Sequence, residues 1–147
     1  MNRLWLAGLL LVSVAAAALA DEGDDTLRFY LAKSKLVVLG EITSMSGADM
    51  TELGVLGYMC EFRVEDVLLG DEKLKGAAIK VRIIRFGVGE KDHLPLLEKG
   101  QQCILFLKPL EQSSAEWITA DFWFGVQYPS PWMARSLKRL AAGRSTN

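Results

Sequence analysis

The chain has 147 residues, half of them hydrophobic, with one histidine, two cysteines and 17 Lys and Arg against 18 Asp and Glu. That length and apolar content suit one domain with a sizeable core. A formal charge of −1 removes the global pull that nucleic-acid binders depend on, and so few His and Cys exclude a multi-ligand metal scaffold.

The first segment, MNRLWLAGLLLVSVAAAALA, has the layout of a secretory signal peptide. Arg3 supplies the positive start, Leu4–Leu19 the apolar run, and Ala18-Leu19-Ala20 a small-x-small cut. The run is shorter than the roughly 20 residues a membrane span needs, and no later run is long enough. Residues 1–20 are therefore predicted to be removed, leaving Asp21–Asn147 as a single secreted or periplasmic domain without a membrane span. Losing Arg3 takes the net charge to −2.

Asp21–Asp25 reads as a solvated new N-terminus. DDTLRFYLAKS predicts a short helix capped by Asp25 or Thr26, with Leu27, Tyr30 and Leu31 on its apolar face. Lys35–Thr43 is a strand apolar on both faces, which implies cover on both sides. Ser44–Gly54 is a polar loop. Val55–Gly70 is a longer strand in which Tyr58, Cys60, Phe62 and Val64 alternate with polar residues. Val67 and Leu69 then fall out of phase, and one extra residue near Glu65-Asp66, a β-bulge, would repair it.

A turn from Gly70-Asp71 to Lys75-Gly76 leads into a strand carrying Ile79, Val81 and Ile83. A loop, Gly87–Gly100, precedes a fourth strand, Gln101–Lys108, stopped by Pro109. Trp117–Tyr128 is expected as a fifth strand, broken near Gly125, with Ile118, Ala120, Phe122, Phe124, Val126 and Tyr128 inward. Ser130-Pro131 opens a C-terminal amphipathic helix with Met133, Leu137, Leu140 and Ala141 in one stripe and Gly143 as its stop.

Mainly β content, five strands, a bulge in the longest and a helix at each end predict a partly open barrel of the OB type. LVVLGEI (Leu36–Ile42), FRVEDVLLG (Phe62–Gly70), IKVRII (Ile79–Ile84) and GQQCILFL (Gly100–Leu107) resemble the skeleton of secreted netrin-like domains. That skeleton is similar to the N-terminal domain of tissue inhibitors of metalloproteinases, and small exported bacterial proteins share it. The resemblance implies an OB-like barrel over most of the mature chain. It also implies protease inhibition as an alternative function. The inhibitors chelate the target's zinc through an N-terminal cysteine, however, and this mature chain would begin Asp21-Glu22 with no cysteine before Cys60.

Candidate chemistry is sparse. His93 beside Asp92 lacks a nucleophile in a recognisable elbow. GVGEKD (Gly87–Asp92) starts like a phosphate loop but places an acid where the third glycine belongs. No catalytic or metal-binding residue and no cofactor is assigned. Cys60 and Cys103 form a candidate disulfide, with two buried thiols as the alternative. Arg63, Lys80, Arg82 and Arg85 would form the solvated outer face of the barrel, and nucleic acid is not an expected partner. Trp117, Thr119, Asp121 and Trp123 are expected on one polar face, covered by the C-terminal helix through Leu137 and Leu140; the alternative is that Trp117, Asp121 and Trp123 form a recognition surface for an exported or envelope protein or a polysaccharide. The expectation is a non-catalytic exported binding or structural module, with a protease inhibitor or an unrecognised enzyme using Asp92, His93 or scattered carboxylates as the alternatives.

Overall fold

The computed structural model describes residues 23–46, 49–50, 55–86, 97–111 and 115–144. The proposed leader, His93, Asp92 and the GVGEKD loop lie outside them. Among the described residues no helix is long and apolar enough to cross a membrane.

β1 (Leu36–Met45) and β3 (Val55–Leu69) form the first antiparallel pair, and β3 continues into β4 (Ala78–Phe86). β5 (Gln102–Pro109) pairs antiparallel with β1 and with β6 (Glu116–Thr119), and β6 runs parallel to β4. The circuit β1–β3–β4–β6–β5–β1 closes a five-stranded mixed barrel of the OB-like type. Two short strands lie off the ring. β2 (Asp49–Met50) pairs with β3 inside the segment expected as loop, and β7 (Val126–Gln127) pairs with β5.

The long strand bends where its alternation fails. In the β1–β3 register Leu39 faces Asp66 and Gly40 faces Val64, so Glu65 is the extra residue. A second extra residue, Leu68, lies between the Val37–Leu69 and Val38–Val67 pairs. Each bulge adds local twist, which lets one strand serve β4 with its first half and β1 with its second.

The two faces of β1 enter different apolar clusters. Leu36, Val38 and Ile42 fill the barrel with Phe62, Val64, Val81, Ile83, Cys103 and Leu105. Val37 lies outside the barrel with Leu68, Ile104 and Phe106, beneath the helices. The run apolar on both faces is thus covered on both sides, as expected. α1 (residues 23–33) supplies Leu27 and Leu31 to that outer cluster, and α2 (Pro131–Ala142) supplies Leu137 and Leu140. The Ser130 hydroxyl accepts from the Met133 N–H to cap α2, with Pro131 following in the first turn.

The start of α1 differs from the expectation. The chain is already helical at Gly23, so Asp25 and Thr26 are helix residues and not its cap. Tertiary contacts hold this first turn. Arg139 of α2 donates to both Asp24 oxygens at 2.7 and 2.8 Å, and the Trp132 ring lies against Gly23.

Candidate functional site

The expected fifth strand is divided. Ala120 N–H donates to Phe106 O at 2.8 Å, and Phe106 N–H donates to Gly125 O at 2.9 Å. Both ends of residues 121–124 are therefore held by one residue of β5, and the four residues loop out from the sheet. Asp121 Oδ1 accepts from Trp123 N–H at 2.9 Å, a side-chain-closed turn of the kind Asp favours. Gly125 is needed at the return, because a Cβ there would meet Asp121 O at 2.5 Å.

This excursion resets the inward phase. Trp117 faces Val81 across the parallel β4–β6 pair, and Thr119 faces Leu107 across β5–β6. Val81 and Leu107 point into the barrel, and Trp117 packs partly buried against the same cluster. Thr119 is buried, and its hydroxyl accepts from Ile84 N–H at 3.0 Å. The expectation that Ile118 and Ala120 point inward while Trp117 and Thr119 point out is therefore corrected. Ala120 instead packs against the outer cluster. The physical reason is that cross-strand partners set the phase of a strand only four residues long.

Of the three surface candidates, Asp121 and Trp123 share the excursion, and Trp117 belongs to the barrel core. Trp123 is 68% exposed. The helix α2 does not cover it, since Leu137 and Leu140 pack into the outer cluster with Phe106 and Phe124.

Trp123 has exposed aromatic company that the sequence reading missed. Phe29, Phe122, Tyr128 and Trp132 are large, apolar and exposed as well. All five sit on α1, the excursion, the approach to α2 or its first turn. A ring stack joins α1 and the excursion to β5. Tyr30 lies flat on Phe124 with centroids 4.2 Å apart, Phe106 meets both edge-on at 5.5 and 5.8 Å, and Phe29 meets Phe124 at 6.1 Å. A signal existed in the sequence. Phe29 falls off the Leu27–Tyr30–Leu31 stripe of α1, and Trp132 falls off the Met133–Leu137–Leu140 stripe of α2. An aromatic off the buried stripe of an amphipathic helix must face solvent or a partner.

The other candidates resolve as follows. Cys60 and Cys103 are free and buried, and the candidate disulfide is not formed. They lie on β3 and β5, which pair with β1 and not with each other, and Cys103 shares its row with Gly40 and Val64. Burial pushes both thiols up to about 12, and Cys60 adds to the shift at Cys103. Among the described residues no group of three His, Cys, Asp or Glu side chains converges. The basic stripe is interleaved with acids. Arg63 pairs with Glu41 at 2.6 Å, and Lys80 faces Glu61 in the β3–β4 register. An open groove of about 330 Å³ lies between the end of β3 and α2, with Leu68, Gly70, Glu72 and Lys138 among its walls. No protein-family model matches the chain, and no curated protein matches it in sequence.

Proposed function

We propose that the protein is an exported, non-catalytic binding module of the cell envelope, built on a netrin-like barrel, and that its working surface is the aromatic face around Trp123. The observation that carries this reading is that the exposed Phe29, Phe122, Trp123, Tyr128 and Trp132 all belong to α1, the excursion, or α2 and the residues leading into it. Exposed aromatics concentrated in this way mark interaction surfaces more often than scattered ones do. The barrel itself is filled with apolar side chains and serves as scaffold.

Export rests on the leader-like segment before Asp21. Both apolar clusters lie between Leu27 and Ala141, so a cut after Ala20 would leave the folded unit whole. The inhibitor alternative draws no further support. Cys60, the first cysteine of the chain, is buried in the barrel and is not available to chelate a protease's zinc.

The test is saturable binding of the exported protein, its N-terminus verified as Asp21 by mass spectrometry, to isolated envelope fractions. Trp123→Ala should weaken binding by about tenfold or more, as expected for an exposed aromatic anchor, with the melting temperature unchanged. Equal binding by wild type and variant, or none by either, overturns the proposal.

A further inference from the structure

We infer that the aromatic face seats on an anionic lipid–water interface, an assignment that rests on the module reading above and names its partner. Three observations converge. The first is the side-chain type. Trp123 and Trp132 are exposed and indole-bearing, Tyr128 is exposed, and Phe29 and Phe122 are exposed and wholly apolar. Trp and Tyr, each apolar in body and polar at the tip, concentrate where hydrocarbon meets headgroup.

The second is charge. Arg28 and Lys33 on α1 and Arg135 on α2 are exposed, and Lys33 Nζ sits 4.8 Å over the Phe29 ring. Among the described residues none of the three is ion-paired. Of the two acids on α1, Asp24 is neutralised by Arg139 at 2.7 Å, which leaves Asp25 on α1 and Asp121 in the excursion as opposing charges, with Asp21 and Glu22 preceding α1 in sequence. The chain as a whole is slightly acidic, so this local cationic fringe is a property of the two helices and not of the composition. Basic side chains at such a surface strengthen attachment to anionic headgroups by about fivefold each.

The third is shape. Phe122 and Trp123 are exposed at the turn of the four-residue excursion, whose Phe124 is buried. Asp121 Oδ1 accepts from the turn's own Trp123 N–H, which fixes the shape of the tip. A sugar would need polar partners beside the stacking ring, whereas a lipid interface needs an apolar tip with cations behind it.

The chain beginning at Asp21 contains both core clusters, so it can be tested without the leader. It would be floated with vesicles of phosphatidylcholine alone and of equal parts phosphatidylcholine and phosphatidylglycerol. The inference expects co-flotation with the anionic vesicles, at least tenfold weaker attachment to the neutral ones, and a blue shift of tryptophan emission on binding. Trp123→Ser combined with Phe122→Ser should abolish attachment. Arg28→Glu combined with Arg135→Glu should reduce it by an order of magnitude or more while leaving the melting temperature in place. No flotation with either vesicle, or flotation that both double variants retain, overturns the inference. If envelope fractions bind the chain through Trp123 while pure vesicles do not, the lipid assignment fails and the module reading stands with a protein or polysaccharide partner. If neither binds, both fail.

Discussion

Gly40 is the residue on which barrel closure depends most directly. It pairs on one side with Val64 of β3 and on the other with Cys103 of β5, so two strands press on it at once. A Cβ there would lie 2.0 Å from Arg63 O and 2.8 Å from the Phe62 ring. The first of these is backbone and has no rotamer through which to yield. Gly40 is thus required for close approach and not for an unusual φ. Gly40→Ala should cost about 3 kcal/mol or more, at or beyond the upper end of ordinary overpacking, read as a lower denaturant midpoint with unchanged slope. A substitution tolerated within about 0.5 kcal/mol, the range of ordinary surface changes, would show that β1 does not run as described.

The bulge in β3 and the helix α2 are tied together by one carboxylate. Asp66, next to the extra residue Glu65, takes Lys138 Nζ of α2 at 2.7 Å and Lys75 Nζ at 3.5 Å, and its Oδ1 accepts from Val67 N–H at 3.1 Å. Partial burial alone would raise its pKa. The hydrogen bond and charge of Lys138, with those of Lys75, outweigh burial and hold the carboxyl below the usual 3.8. A lowered folded pKa means that stability is present above the unfolded value and is lost as the pH falls through the folded one. Asp66→Asn should therefore cost about 1 kcal/mol or less near neutrality, since the lysines are half exposed. That difference from wild type should shrink below pH 3.8 and vanish once the wild-type carboxyl is protonated. A gap that persists at low pH would mean that shape, not charge, matters at the bulge.

The barrel as one body guards its interior, and its two thiols report on that. Cys60 and Cys103 are buried on different strands of a closed ring, so no single strand can fray enough to bare both. A thiol reagent should label them together, at the rate set by global opening, and fast labelling should appear only with denaturant. Both are raised from 9.0 to about 12. A raised folded pKa gives stability that is full below pH 9.0 and is lost as the pH climbs toward about 12, because the unfolded thiols then release protons that the folded ones keep. The thiol share of alkaline destabilisation should thus disappear in Cys60→Ala combined with Cys103→Ala. Rapid labelling of one thiol in native buffer would show that a strand opens locally.

The alternation along β3, its break at Glu65, the two-faced apolar run of β1 and the capped stripe of α2 were legible in the residues themselves. Each depends on periodicities of two or 3.6 that the chain carries locally, and together they imply a bent-strand barrel with helices at its ends. The phase of β6 was not legible. Trp117 turns inward because it lies beside Val81 in a parallel pair and because Ala120 and Gly125 are both held by Phe106. Those partners are distant in sequence, and four residues of strand cannot outvote them. The aromatic face was legible only in fragments for the same reason. Phe29, Trp123 and Trp132 come from three separated segments, α1, the excursion and α2, which pack on one outer cluster and leave these rings exposed. Local chemistry decided which elements form, and long-range pairing decided which side chains were left facing out.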